Sequence, residues 1–256
     1  MKTTRALVLL ATFIFFGSPG WAGNLGSSKP VSWWRADGNA SDQISHNDGV
    51  LQGGTTYASG KIGQAFCFQS VGDAITASTH NLPVGKENRT LACWVFIDSF
   101  LDGAESFFAG YGNFGTGGQA FSLGAFWDHR LFVSQWGEAI FGPVLNSGQW
   151  YHVAVTSMGT NAVILYLNGS MVAIGSFSFD TPANSTFYIG GVDAPYNTRQ
   201  TIGLIDEVRV YKRALAPTEI RELFQAGSSH LAANLSGQLR QISSITRAAS
   251  SFGSRN

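Results

Sequence analysis

Gly203–Leu215 reads GLIDEVRVYKRAL, and this stretch decides the fold. Leu204, Val208 and Val210 alternate with charged or polar neighbours, the period of two that marks a strand with one buried face. An acidic pair, Asp206-Glu207, interrupts the apolar run near its start. Directly afterwards, Ala214–Phe224 (ALAPTEIRELF) changes to helical spacing. A strand that carries a carboxylate and then runs into a short terminal helix closes a β-structure rather than opening an α/β unit. It also places a candidate calcium ligand at the sheet edge.

Upstream, strand signals recur at Val31–Trp34, Gln64–Phe68, Ala74–Ala77, Thr90–Ile97, Ser106–Ala109, Phe121–Phe126, Leu131–Gln135, Trp150–Ser157, Ala162–Leu167, Met171–Phe177 and Thr186–Ile189. Each run is short, rich in β-branched or aromatic residues, and bounded by Gly, Asn, Asp or Ser. Asn168-Gly169 lies between two alternating runs, so a type I′ hairpin is expected there, because both turn residues tolerate positive φ. Strands at this spacing without intervening helices predict an all-β, two-sheet antiparallel jelly-roll sandwich with a short C-terminal helix.

Composition agrees with that class. Only 12% of residues are charged, aromatics reach 13%, and there are 31 glycines in 256 residues. Lys2 and Arg5, the apolar run Ala6–Phe16 and then Gly20-Trp21-Ala22 read as a signal peptide over residues 1–22. The apolar run is shorter than the ~20 residues a membrane span needs, so no membrane insertion is expected. Without those residues, 14 basic face 16 acidic side chains, a net charge near −2 that offers no field for nucleic acid. A secreted protein, extracellular or periplasmic, is the expected product. Residues 23–30 form a flexible lead, 31–226 one domain, and 227–256 a Ser/Ala-rich tail with helix-like spacing of Leu231, Leu235, Leu239, Ile242 and Ile245. Cys67 and Cys93 both sit in strand-like runs and admit two readings: a disulfide if their strands are neighbours, or two buried thiols.

Four stretches then carry a resemblance, in order along most of 31–224. They are Trp33–Asp42 with Asn47–Leu51, Gly60–Phe68, Gln149–Thr156 with the Leu167-Asn168-Gly169 hairpin, and Gly203–Leu215. The chain resembles the laminin-G-like (concanavalin A-like) jelly-roll domains found in many exported bacterial proteins. The resemblance implies a non-catalytic module that binds glycans or proteins, often with a structural calcium. One departure is Phe68-Gln69-Ser70, where these domains commonly read Phe-Asp-Gly; Asp73 remains nearby.

Calcium takes six to eight oxygens, several of them from carboxylates. Asp37 and Asp42 flank a loop after the first strand, and they could converge with a residue of the last strand if the termini pair. The resemblance assigns the acid of Ile205-Asp206-Glu207-Val208, which is Asp206, as the principal ligand. Sugar binding uses aromatic faces and a few orienting polar groups. Trp127 and Trp136, at hairpin ends, and Tyr196, in a loop, are the candidates, whereas Trp33, Trp34, Trp94 and Trp150 read as packing residues.

Catalytic signatures are missing. Gly110–Gly115 spells G-x-G-x-x-G, but another strand follows where a dinucleotide site needs a helix. No G-x-S-x-G or H-E-x-x-H occurs, and His152 lies inside a strand. The Glu-x-Asp-x-x-Glu strand of the related-fold laminarinases has no counterpart. Adjacent acids on a regular strand face opposite sides, so Asp206 and Glu207 are not expected to act together. The expected function is carbohydrate recognition; the alternatives are an adhesive, protein-binding surface domain and, last, a glycoside-cleaving enzyme.

Overall fold

The computed structural model describes residues 29–159, 162–192 and 199–228. The expected signal peptide, residues 23–28 of the lead, Tyr196 and the tail beyond 228 lie outside the described residues. The strands are β1 (Ser32–Trp34), β2 (Val50–Gln52), β3 (Thr56–Ser59), β4 (Gln64–Phe68), β5 (Ala74–Ser78), β6 (Arg89–Ser99), β7 (Ser106–Gly112) and β8 (Ala120–Ala125). They continue with β9 (Arg130–Ser134), β10 (Ala139–Val144), β11 (Trp150–Ser157), β12 (Val163–Leu167), β13 (Ser170–Gly175), β14 (Thr186–Ile189) and β15 (Ile202–Tyr211). A helix, α1 (217–228), follows.

Two antiparallel sheets make the jelly-roll sandwich. One has the order β13-β12-β11-β6-β15-β4-β3 with β1 also paired to β15, and the other the order β10-β9-β8-β7-β14-β5-β2. Every strand expected from the sequence is present. Three were not anticipated. β2 and β3 are short strands at the ends of their sheets, and β10 carries Gly142-Pro143, which proline's missing N–H restricts to an edge with a register shift.

The decisive strand is not at an edge, contrary to the sequence expectation. β15 runs through the interior of its sheet with β6 along one side. On its other side β4 pairs with Gly203–Ile205, and β1 then pairs with Val208–Val210. The bulge at Asp206-Glu207, where Glu207 takes φ 57°, lies where one partner gives way to the other. At Gly203 the backbone has φ 146°, and an added Cβ would collide with the Phe96 carbonyl oxygen of β6. Glycine is therefore required there on both counts. The Asn168-Gly169 hairpin forms as expected, with φ of 50° and 77° at its two turn residues.

Alternation fills the space between the sheets. Leu91, Cys93, Val95 and Ile97 of β6 and Ile205, Val208 and Val210 of β15 enter the main core. There Trp34 stacks on Phe187 of the opposite sheet at 4.6 Å between ring centroids. The other side of β6, β11 and β12 is buried differently. Ala92, Ala154 and Tyr166 pack under Leu215, Ile220 and Leu223 of the terminal segment. Pro217 opens α1 where no N–H is needed, and Glu219 reaches back to the Ala216 N–H at 2.8 Å. Glu219 also holds Arg213 through two hydrogen bonds of 2.7 and 2.6 Å.

The disulfide reading is corrected. Cys67 and Cys93 are free and buried. β15 separates their strands, and Cys93 faces the intersheet core, whereas Cys67 pairs with Leu204 on the outer side. Two strand spacings are close to 10 Å, beyond disulfide reach. Reductant is thus expected to leave the melting temperature unchanged, with two thiols titrating only after denaturation. Gly203→Ala is expected to cost about 2–4 kcal/mol, the range of steric and backbone lesions in a packed strand, as measured by urea unfolding; a loss below about 0.5 kcal/mol would contradict the close approach to β6.

Candidate functional site

Two regions concentrate polar side chains, and they lie on the outer faces of different sheets. The first surrounds the bulge in β15. Asp42 is buried, and its carboxylate accepts the backbone N–H groups of Trp33 (2.8 Å), Ile44 (3.1 Å), Ser45 (3.3 Å) and Asn47 (3.2 Å). It knits the loop after β1. Asp37 accepts the Gln64 N–H at 3.0 Å and pairs with Arg35, also at 3.0 Å. Asp206 is fully buried; one carboxylate oxygen accepts the Ile62 N–H at 2.8 Å, and the other has no partner.

Glu207 corrects the alternation argument. Its positive φ turns the carboxylate toward the Trp33 indole N–H (3.0 Å), with Arg209 hydrogen-bonded to the same oxygen and Arg35 at 3.8 Å. Trp33 and Arg209 are cross-strand partners, as are Asp206 and Trp94. The bulge brings both acids to the outer side of the sheet. Burial, with added repulsion from Glu207 and Asp37, pushes the Asp206 carboxyl up to about 8. Burial also raises Glu207, against the pull of Arg209.

Trp94 lies beside Asp206, stacked on Phe224 of α1 at 5.6 Å, with the Lys61 ammonium 4.4 Å from its ring centroid. His152, its partner on β11, meets the Trp94 ring edge-on at 5.2 Å. Burial holds this imidazole neutral, with its pKa down to about 3. The Trp94 indole N–H and His152 Nδ1 have no hydrogen-bond partner. His152 is a packing residue whose backbone N–H donates to Asn168 at 3.0 Å.

Each of these three carboxylates already accepts at least one backbone N–H. Asp42 uses its oxygens on four amides and Asp37 on an amide and a guanidinium, whereas Asp206 has one oxygen on Ile62 and the other without a partner. Among the described residues no three His, Cys, Asp or Glu side chains form a metal-holding group. Asp73, the acid left after the Gln69-Ser70 departure, likewise binds the N–H groups of Gly54, Gln69 and Ser70.

The second region is a groove of about 440 Å³ on the outer face of the seven-stranded sheet. Its position follows from alternation. Leu131 and Val133 of β9 face the core, so Phe132 and Ser134 face outward, opposite Phe141 and Ala139 of β10. Phe126, Phe132 and Phe141 form an aromatic wall, with centroids 5.0 Å (Phe126–Phe141) and 5.6 Å (Phe126–Phe132) apart. Trp136 stands at the turn between β9 and β10 with φ 77°, an unusual conformation for a bulky side chain. Such strain persists only where surroundings enforce it. Here the Ser134 hydroxyl accepts the Trp136 N–H (2.9 Å), Phe114 abuts the ring edge-on, and the Arg199 guanidinium covers its face at 4.0 Å. Arg199 pairs with Glu105 at 3.0 Å, and Glu138 closes the groove's end. Burial raises Glu105, while Arg199 pulls it down.

Of the aromatic candidates, Trp136 lines this groove. Trp127 is 58% exposed and contacts the groove residue Phe126 at 5.6 Å without lining the groove itself. Trp34 and Trp94 are buried as expected, whereas Trp33 is a half-buried surface ring between Arg35 and Arg209. Sequence reasoning missed Phe132, Phe141, Glu105 and Arg199. Phe132 carried a usable signal, a large apolar residue on the outward side of the alternating run 131–135, whereas Phe141 lies on the unanticipated β10. Glu105 and Arg199, 94 positions apart, carried none.

Residues 69–221, more than half the chain, match the model of the concanavalin A-like lectin/glucanases superfamily. Similar solved structures include domain 4 of AbnA, a GH43 extracellular arabinanase from Geobacillus stearothermophilus, in complex with arabinotriose. It superposes with a TM-score of 0.61 at 23% identity, covering 76% of this chain and 98% of that one. The botulinum neurotoxin serotype G binding domain gives 0.60 at 14% identity, covering 78% and 52%. Trypanosoma rangeli sialidase in complex with sialic acid gives 0.57 at 22% identity, covering 78% and 33%. The chain thus spans about half of the toxin domain and a third of the sialidase, and at these identities the likeness is one of fold. No curated protein sequence matches the chain.

The buried pair Asp206 and His152 sets a pH response. Asp206 is protonated in the fold up to about pH 8 but ionised in the unfolded chain above about pH 4, so its contribution falls as pH rises between those values. His152 stays neutral in the fold down to about pH 3, so its contribution falls as pH drops below about 6.5. The two oppose each other from pH 4 to 6.5, leaving a net decline from 6.5 to 8. The melting temperature is expected to drop across that upper window, and Asp206→Asn is expected to flatten the drop. A calcium-dependent rise in melting temperature that Asp206→Asn abolishes would instead make this carboxylate a metal ligand.

Proposed function

This chain belongs to the concanavalin A-like lectin/glucanases superfamily, and we propose that it is an exported, non-catalytic module that binds carbohydrate in the groove at Trp136. The strained Trp136 carries this reading. A turn would ordinarily place glycine at such a φ, yet here a large ring is held beside the groove by Phe114 and Arg199. Sugars present one face of C–H groups and an equator of hydroxyls, which suits a ring flanked by Ser134, Glu105 and Glu138. A volume of about 440 Å³ accommodates two or three sugar units. The arabinotriose complex of AbnA domain 4, which the chain covers almost completely, supports an oligosaccharide ligand.

One observation favours a second reading. Glu105 and Glu138 line the same groove, and glycoside cleavage uses two carboxyl groups, one of them with a raised pKa. Against it, Glu105 is engaged by Arg199, and Gln135 donates to Glu138 at 3.2 Å, so both acids have structural tasks.

A glycan array followed by calorimetry tests both readings. Trp136→Ala is expected to weaken binding by about tenfold, near the upper end of what one aromatic stack contributes, with the near-ultraviolet dichroism of the core unchanged. The oligosaccharide should be recovered intact after prolonged incubation. Release of reducing ends that Glu105→Gln and Glu138→Gln both abolish would establish the cleavage reading. Failure of every glycan to bind would transfer the groove to a protein partner at a cell surface.

A further inference from the structure

The groove's charges are arranged in a way that bears on which sugars enter it. Its one lining cation, Arg199, has no free charge to offer: Glu105 sits 3.0 Å from the guanidinium, whose face lies on the Trp136 ring. Arg130, outside the lining but against the groove residue Phe141, repeats the arrangement. Asp128 holds it at 2.7 Å, and its guanidinium covers Phe141 at 4.2 Å. Each arginine is therefore spent twice, on a carboxylate and on an aromatic face. Among the described residues no cation pairs with Glu138, and the lining carries two carboxylates and one guanidinium.

We infer that this groove selects neutral glycans and discriminates against acidic ones, such as hexuronates and sialic acids. The inference rests on the carbohydrate reading above and goes beyond it by fixing the ligand's charge class. A sugar carboxylate entering here would meet the field of Glu138 and would find both guanidinium groups already hydrogen-bonded. Recruiting either would mean breaking an ion pair and stripping a cation from its ring. Neutral sugars face the opposite situation. Glu105 and Glu138 are acceptors only, and Ser134 can accept as well, so the polar lining matches a ligand that presents hydroxyl donors. Hydrogen bonds from hydroxyls to ionised carboxylates are the stronger kind, and the aromatic wall takes the uncharged C–H face.

The experiment uses matched oligosaccharide pairs that differ only at C6, hydroxymethyl in one and carboxylate in the other, titrated by calorimetry at low and moderate salt. The wild-type protein is expected to prefer the neutral member at least tenfold, and added salt should narrow the gap by screening the repulsion. Glu105→Gln releases Arg199 and is expected to raise affinity for the acidic member severalfold. Asp128→Asn, which frees Arg130 without touching the groove lining, provides a second variant should the first unfold. Equal or tighter binding of the acidic member by the wild-type protein would overturn the charge inference while leaving the sugar-binding reading standing. Binding of neither member, or of any glycan on the array, would overturn that reading itself.

Discussion

The structure depends on a single constraint: the strand that ends the domain must lie in the middle of a sheet, with two different strands sharing its far side. β4 and β1 cannot both continue along β15, so a gap opens where one stops and the other begins. Buried backbone and indole donors at such a gap need acceptors, and leaving one unmade costs about 1–3 kcal/mol. Asp206 and Glu207 supply them, to the Ile62 N–H and the Trp33 indole. The bulge that turns Glu207 outward makes both contacts compatible. What reads in one dimension as an acidic interruption of a strand is a junction in three. This junction explains why a carboxyl held protonated up to about pH 8 is tolerated in the interior.

The same constraint divides labour between the two outer faces. Beyond the junction the chain has only to turn at Arg213 and lay α1 across β6, β11 and β12, so the eight-stranded sheet is covered by its own C-terminal segment. Trp94, His152 and Phe224 are packing residues of that seam. Among the described residues no helix covers β9 and β10 of the seven-stranded sheet. There Phe132 and Phe141 on the outward side, with Phe126, gather into a groove that also has a few polar groups.

Much of the fold was legible because period-two alternation and turn residues are local signals. The Asn168-Gly169 hairpin and the strands of both central sheets could be read without knowing their partners. β2 and β3 escaped because three or four residues are too few for alternation to stand out, and β10 because Gly142-Pro143 breaks the pattern. Partnership was only half legible: that β1 and β15 pair could be anticipated, whereas the interior place of β15 and its separation of Cys67 from Cys93 could not. The acids illustrate why. Sequence identifies carboxylates but not what their oxygens accept: Asp37 and Asp42 hold backbone amides, and Asp206 holds one and keeps an oxygen without a partner. Trp136 was identifiable as an aromatic at a hairpin tip, yet Glu105 and Arg199 meet it only through tertiary folding.

The pairing of Trp33 with a strand that contains Glu207, 174 residues downstream, has a kinetic side. Until β15 is available, β6 and β4 present unpaired N–H and C=O rows to solvent, and no partial version of the larger sheet can close. Contacts of such high sequence separation carry a loop-closure cost that local propensity does not offset. A chain cut before Ile202 would keep those open rows and, with them, a template for self-association.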